Sequence, residues 1–192
     1  MAETGLRERS KARRRAAITR AAYELFAERG YDATTVADIA EAAEVSPRTI
    51  AMYFPAKQDI AMARVSDAVA SLTAAIHARQ PGETAADVLG GWLRATQTEP
   101  ADLEQRMLAR RMFAANPQLA ALRTARLASA MRGGVAFIAA DTRSDPGAIG
   151  PRLAAAAASA MIAEVLDTEP GAAREEAIAA AIRFIEAGIA AL

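Results

Sequence analysis

The sequence predicts an all-α protein with a small N-terminal helical bundle followed by a larger helical domain. Apolar residues recur at spacings of three and four along much of the chain, and no segment alternates apolar and polar residues as a strand does. Glycine, proline and short polar runs separate the helical segments. A chain of 192 residues suits one or two domains with a sizeable core, and we place the boundary between 1–56 and 57–192.

The composition excludes several classes of site. The chain has no cysteine, which rules out disulfides, thiol nucleophiles and thiolate metal ligands and suits a reducing compartment. It has one histidine, His77, and neither a glycine-rich phosphate loop nor a G-x-S-x-G sequence, so we expect no enzyme, metal or cofactor. The N-terminus lacks an apolar signal sequence, and the apolar run 153–163 is shorter than the roughly 20 residues of a membrane span. We therefore expect a cytoplasmic protein.

The first helix is predicted from about Arg9 to Arg29. Arg29 places a cation at the negative end of the helix dipole, and Gly30 can adopt the left-handed conformation that ends a helix. One face of the helix is apolar and is expected to be buried. Its residues are Ile18, Ala21, Ala22, Leu25 and Phe26.

Two short helices are predicted next, within residues 34–57. Thr35 can cap the first of them, and Asp38 three residues later forms a partial capping box. The connecting turn at residues 42–45 is too short for the two helices to run antiparallel, so they are expected to cross steeply. This arrangement is a helix-turn-helix, whose second helix enters the DNA major groove.

The second short helix has strong local signals at both ends. Ser46 occupies the N-cap position and Pro47 the first helical position, where a missing N–H costs nothing. Pro55 excludes the preceding residue from the helical region, so the helix ends at Phe54. Val45, Ile50 and Phe54 can point inward, whereas an outward face is left for Arg48, Thr49, Met52 and Tyr53.

These segments resemble the DNA-binding signature of the TetR family of bacterial transcriptional regulators. The segment ITRAAYELFAERG at residues 18–30 is similar to the family's first helix, whereas Ala51 stands where many members have an aromatic residue. The resemblance implies an all-α regulator, most often a repressor that a small molecule releases from DNA. The residues that carry it are Thr34, Thr35, Val36, Ile39, Ala40, Val45, Ser46, Pro47, Arg48, Thr49, Ile50, Tyr53, Phe54 and Lys57.

Candidate DNA contacts follow partly from this resemblance. Arg48 lies in the first turn of the recognition helix, where a guanidinium can donate to guanine O6 and N7, and Met52 or Pro47 can contact a thymine methyl group. The other candidates fit phosphate contacts, although Thr35 and Ser46 would cap helices in any protein. The predicted set is Thr34, Thr35, Ser46, Pro47, Arg48, Thr49, Met52, Tyr53 and Lys57.

Positive charge is concentrated beside this motif although the net charge of the chain is zero. Residues 7–20 carry a local balance of +6. A basic run is either a solvated arm or the electrostatic footprint of phosphate binding, and a neighbouring recognition helix favours the second interpretation. The basic residues are Arg7, Arg9, Lys11, Arg13, Arg14, Arg15 and Arg20.

The rest of the chain is predicted as helices separated by turns. Residues 57–79 contain no helix breaker and are predicted as one long helix that joins the two domains. The remaining helices are expected at about 84–97, 100–115, 116–140, 153–167 and 171–192, with the longest loop at 141–151.

The last predicted helix indicates a homodimer. Its residues Ile178, Ile182, Ile185, Ile189 and Leu192 repeat at spacings of four and three, as in a helix bundle. A second apolar face comprises Ala177, Ala181, Phe184, Gly188 and Ala191, and the polar strip, which includes Arg174, is narrow. The helix therefore needs cover on two sides, either by a second copy through the last two helices or wholly within the chain. A two-fold dimer implies an inverted-repeat operator with half-sites about 34 Å apart.

The second domain is expected to bind a small-molecule effector of unknown identity, as the resemblance implies. Residues that can line such a cavity, although side chains of this kind are more often ordinary core, are Trp92, Met107, Met112, Phe113, Met131 and Phe137. The predicted function is a DNA-binding repressor released from an inverted-repeat operator by this ligand. The alternative is a helical ligand-binding or architectural DNA-binding dimer without effector control.

Overall fold

A computed structural model describes residues 2–96, 100–169 and 171–191 of the chain. All of the regular secondary structure in these ranges is α-helical, which confirms the predicted fold class. The helices are α1 (Ala2–Arg29), α2 (Val36–Ala42), α3 (Pro47–Tyr53), α4 (Lys57–Ala61), α5 (Ala63–His77), α6 (Ala85–Ala95), α7 (Pro100–Ala115), α8 (Pro117–Gly133), α9 (Val135–Thr142), α10 (Ile149–Asp167) and α11 (Ala172–Ala190).

The chain forms two compact units. The first comprises Met1–Arg64 and Gln105–Ala120, and the second comprises Val65–Glu104 and Ala121–Leu192. In the first unit, α1 packs against α2 and α4, and α2 packs against α3. Its core includes the side chains of Ile18, Ala22, Tyr23, Phe26, Ile39, Ile50, Phe54 and Ile60. The predicted boundary at residue 56 stays a prediction.

In the second unit, α10 packs against α9 and α11, and α11 packs against α6. The contact between α6 and α11 is close at Gly90, where an added Cβ would lie 2.8 Å from Ile182 Cδ1. Arg123, which is buried, donates to both carboxylate oxygens of Asp167 at the end of α10. Such a two-pronged ion pair fixes the geometry of both side chains.

Arg174 corrects one expectation about the last helix. The sequence places it on the exposed polar strip of α11, but only 3% of the residue is exposed. Its guanidinium donates to the carbonyl oxygens of Leu166 and Thr168 at the C-terminus of α10. A cation is favourable there because the final carbonyls of a helix lack helical partners and carry partial negative charge.

The prediction of one long helix at residues 57–79 is wrong, because the helix is interrupted at Met62, between α4 and α5. The Tyr23 hydroxyl of α1 lies in this break. It donates to the Ala61 carbonyl (3.1 Å) and accepts from the Arg64 N–H (3.4 Å), two groups that a continuous helix would pair within itself. A side chain inserted into the helical hydrogen-bond ladder is a known cause of a kink.

The predicted helix at 116–140 is likewise two helices, α8 and α9, which meet at Gly134. The Gly134 N–H donates to the Met131 carbonyl, a tighter turn than an α-helix makes. Two consecutive glycines, Gly133 and Gly134, lower the helix propensity at this point. Elsewhere α1 begins earlier than predicted and α10 begins at Ile149, while the ends predicted at 97 and 192 fall outside the described residues.

Among the described residues, α10 is the one helix long and apolar enough to cross a membrane by length and composition. It has 19 residues and a mean hydropathy of 1.4, so it is longer than the apolar run noted in the sequence. Its Ala155, Ile162 and Val165 side chains lie in the core of the second unit. A core helix passes the same test, so this is weak evidence for a span.

Candidate nucleic-acid interface

The helix-turn-helix begins with the predicted capping box on α2. The Thr35 hydroxyl accepts from the Asp38 N–H at 3.1 Å, and the Asp38 carboxylate accepts from the Thr35 N–H at 2.7 Å. Donation from the Thr35 hydroxyl, followed by donation from its N–H, holds the pKa of Asp38 below its ordinary value. Thr35 is exposed, so this cap lies at the surface.

The turn between α2 and α3 relies on a left-handed residue that the sequence does not reveal. Glu44 has φ 53°, a region that normally favours glycine. The Val45 N–H donates to Ala40 O and the Glu44 N–H to Glu41 O, which together form a Schellman motif. This motif ends α2 and directs the chain into the N-cap of α3.

The predicted boundaries of α3 are confirmed. The Ser46 hydroxyl accepts from the Thr49 N–H at 3.0 Å, and Pro47 occupies the first helical position. Phe54 is extended and ends the helix, as the following proline predicts. Because α3 has only seven residues, its orientation depends on how its buried side chains are anchored in the first unit.

Two core residues anchor α3 and leave its other face exposed. Ile50 and Phe54 are buried, whereas Pro47, Arg48 and Met52 are exposed, and 77% of Met52 is accessible. The remaining predicted contacts on this helix, Thr49 and Tyr53, are half-buried. An exposed guanidinium in the first turn beside an exposed thioether matches the chemistry that reads base edges in a major groove.

Two predicted DNA contacts serve the turn between α1 and α2 instead of lying open. Thr34 is 1% exposed and its hydroxyl donates to the Gly30 carbonyl at 2.8 Å, so its side chain is not accessible to a phosphate; this corrects the prediction for Thr34. The Lys57 ammonium donates to the carbonyls of Tyr31 and Thr34, each at 2.8 Å, and lies 4.2 Å from the centroid of the Tyr31 ring. Two of its three N–H donors are thus used within the unit.

Asn116 holds the same turn from the other side, a role that the sequence analysis missed. Its side-chain amide donates to the carbonyls of Phe26 and Met112, both at 2.8 Å, and its oxygen accepts from the Tyr31 N–H at 2.7 Å. The residue is 2% exposed. The sequence Asn116-Pro117 looks like a local helix start, which conceals contacts to residues 85 and 90 positions away.

Tyr31 therefore has its N–H and its carbonyl bound by two distant side chains. Burial, and then the charges of Asp32 and Asp59, raise the pKa of its hydroxyl. The ring stays neutral under ordinary conditions and presents an aromatic face to the Lys57 cation. This turn leads directly into the cap of α2, so Tyr31 connects α1 to the helix-turn-helix.

The second unit contains a small apolar cavity of about 30 Å³, which is partly open to solvent. Of the six predicted ligand contacts, Met131 and Phe137 line it, whereas Trp92 is buried elsewhere in the unit. The other residues that line it are Leu72, Ile76, Ala85, Val88, Leu89, Gly134, Ile138, Ala158, Ile185 and Ile189.

The remaining predicted ligand contacts lie in the first unit and so do not line this cavity. Met112 and Phe113 are buried there, and Met107 is 53% exposed. The division of α7 between the two units assigns these three residues to the first unit. A role for these three residues in ligand binding stays a prediction.

Comparison with known proteins identifies the first unit. Residues 18–63 match the model for bacterial regulatory proteins of the tetR family. The HTH-type transcriptional regulator TcmR of Streptomyces glaucescens is 41% identical over 91 residues, which make up 47% of this chain and 40% of that protein. Over this segment the chain is similar to the TetR family of bacterial transcriptional regulators.

Solved structures extend the likeness of fold beyond the matched segment. Salmonella enterica GusR superposes with a TM-score of 0.62 at 21% identity, covering 92% of this chain and 95% of that one. Thermus thermophilus FadR, a TetR-family repressor solved with lauroyl-CoA, has a TM-score of 0.53 at 23% identity, covering 91% and 94%. Both support an N-terminal helix-turn-helix followed by a helical domain, and at these identities the similarity concerns the fold alone.

Proposed function

We propose that this protein is a repressor that binds an inverted-repeat DNA operator as a homodimer and is released by a small apolar ligand. The observation that carries the proposal is the exposed face of α3, where Arg48 and Met52 are presented by a helix anchored through Ile50 and Phe54. A rigid recognition helix with an arginine in its first turn suits direct reading of base edges.

Each residue of the proposed DNA-contact set has a defined role. Arg48 donates two hydrogen bonds to one guanine, and Met52 and Pro47 make apolar contact with a thymine methyl group. Thr35, Ser46, Thr49 and Tyr53 are assigned to phosphate oxygens, which position the protein without specifying sequence, and so is the third N–H donor of Lys57. Thr34 is left out of this set because it is buried.

The homodimer is proposed to form through α10 and α11. Both helices expose large apolar side chains, with Leu153 60% and Phe184 64% accessible. Gly188 is exposed in the same helix as Phe184, one turn further on, and permits close approach of a second backbone. Burying such side chains in a symmetric interface removes apolar surface from water, at roughly 25 cal/mol for each Å². The two-fold symmetry then requires two half-sites.

The proposed ligand is assigned to the apolar cavity of the second unit. Its lining is entirely hydrocarbon apart from the thioether of Met131 and backbone atoms, so it suits an apolar molecule or the apolar part of a larger one. We place the protein in the cytoplasm, where its DNA would be found.

Selection of bound sequences from a random duplex pool at about physiological salt would test the proposal. We expect enrichment of one inverted repeat, occupied by two chains. Arg48→Ala is expected to cost about 1–3 kcal/mol of operator binding for each half-site and to relax the preference at one base pair in each. Unchanged discrimination between operator and random DNA in this variant would refute the reader role of Arg48.

A further inference from the structure

The N-terminal half of α1 continues the core face of the helix as a line of positive charge. In the C-terminal half, Ile18, Ala22 and Leu25 lie on one face and are buried where α1 packs against α2 and α4. Going back along the same face by steps of three or four residues leads to Arg14 and Lys11. Arg7 is the next residue on the line.

Helix geometry fixes which cations share this face. Each residue advances by about 100°, so Lys11 and Arg14 lie within about 40° of Ile18 around the helix axis. Arg9 and Arg13 lie on the far side, about 140–180° away. All four of these basic side chains are exposed, whereas Ile18 is fully buried. The face that is apolar beside α2 and α4 is thus basic beyond them.

The basic face begins next to the recognition helix. The guanidinium carbon of Arg15 lies 5.3 Å from the centroid of the Phe54 ring, and Phe54 is the residue that ends α3. From Arg15 the helix runs on to Ala2, which at 1.5 Å per residue is about 20 Å past this point. The extension therefore starts at the C-terminal end of α3 and carries cations on the side toward which the helix-turn-helix packs.

We propose that Arg7, Lys11 and Arg14 form a phosphate-binding stripe that holds the DNA backbone flanking each half-site, an inference that rests on the proposed function. The stripe spans about 10 Å along the helix, comparable to three nucleotide steps of one strand at a rise of about 3.4 Å each. It lengthens the footprint of each protomer beyond the base pairs that α3 contacts. Its contacts are with phosphates, so they add affinity without adding sequence preference.

Two double variants test the stripe with equal changes in charge. Lys11→Gln with Arg14→Gln removes two cations from the stripe, and the control, Arg9→Gln with Arg13→Gln, removes two from the opposite face. The wild type and both variants are titrated with the selected operator over a range of salt concentrations. One duplex ends at the half-sites and a second carries about one further helical turn of DNA, about 10 base pairs, on each side.

The stripe variant is expected to lose the wild type's preference for the longer duplex and the control variant to keep it. The affinity falls as salt is added, and each lost phosphate contact makes the slope of log affinity against log salt less steep by about 0.9. Two charges in each of two protomers therefore reduce the steepness by about 3–4. Equal slopes for the two variants would overturn the stripe while leaving operator binding intact. A wild type that selects no sequence would overturn the proposed function, and the stripe with it.

Discussion

Asn116→Ala is predicted to lower the free energy of unfolding of the first unit by about 3 kcal/mol. The substitution removes the amide that donates to the Phe26 and Met112 carbonyls and accepts from the Tyr31 N–H. Each of these hydrogen bonds contributes about 1 kcal/mol net to the free energy of unfolding. In the variant the Tyr31 N–H also loses its acceptor at position 116, which is buried. The loss is a large fraction of the roughly 5–15 kcal/mol that stabilises a typical domain.

A second variant separates hydrogen bonding from volume. Asn116→Asp keeps the side-chain shape and the oxygen that accepts from Tyr31, but it replaces the donating amide with a carboxylate oxygen facing two carbonyls. At pH about 7 a buried carboxylate in this position is repelled by both carbonyl dipoles and loses hydration, so we expect a loss at least as large as for alanine. If the stability loss of Asn116→Ala came only from the volume that the substitution leaves empty, Asn116→Asp would show no such loss.

Urea unfolding followed by far-ultraviolet circular dichroism measures these changes. The control is Gln118→Ala, two residues away, because Gln118 is exposed and its side-chain hydrogen bond to Asp32 is long, at 3.4 Å. Exposed substitutions usually change stability by less than about 0.5 kcal/mol. Trp92, the only tryptophan, lies in the second unit, and its fluorescence provides a separate signal for that unit. If Asn116→Ala lost no more stability than the control, the anchoring role of Asn116 would be refuted.

Two further predictions concern a cap and a helix contact. Because hydrogen bonds lower the pKa of Asp38, its carboxylate stabilises the fold fully above about pH 4 and this contribution is lost as the pH falls through the lower folded-state value. Asp38→Asn should therefore reduce the urea midpoint at about pH 7 but not at about pH 2, and an equal reduction at both would contradict this. Gly91→Ala should stabilise α6 by about 0.5–1 kcal/mol, since no heavy atom lies within 4 Å of the added Cβ. Gly90→Ala should gain less, because Ile182 Cδ1 lies 2.8 Å away, and equal melting temperatures would count against this contact.

Local signals were sufficient to predict α3 correctly. Its start depends on Ser46 and Pro47 and its end on Pro55, residues that act on the backbone within one turn of where they stand. The capping box at Thr35 and the left-handed Gly30 are predictable for the same reason. The proposed recognition helix, α3, is therefore also the element whose boundaries the local sequence specifies best.

Contacts between distant residues explain where sequence analysis failed. Residues 57–79 have continuous helical character, and nothing within that segment indicates a break at Met62. The break depends on the hydroxyl of Tyr23, which is 38 residues away from Ala61 in the chain. The structure buries Tyr23, and the partner of its hydroxyl becomes known only when the helices are packed.

The turn between α1 and α2 shows how two such contacts can position the recognition helix together. Asn116 binds the N–H of Tyr31 and Lys57 binds its carbonyl, so the same peptide segment is fixed from α7–α8 on one side and from the start of α4 on the other. Lys57 follows α3 by only a few residues, and the turn itself leads into α2. A displacement of Asn116 would therefore move the Tyr31 turn, which contacts both ends of the helix-turn-helix. Residues that contact no DNA can in this way decide how firmly Arg48 is held.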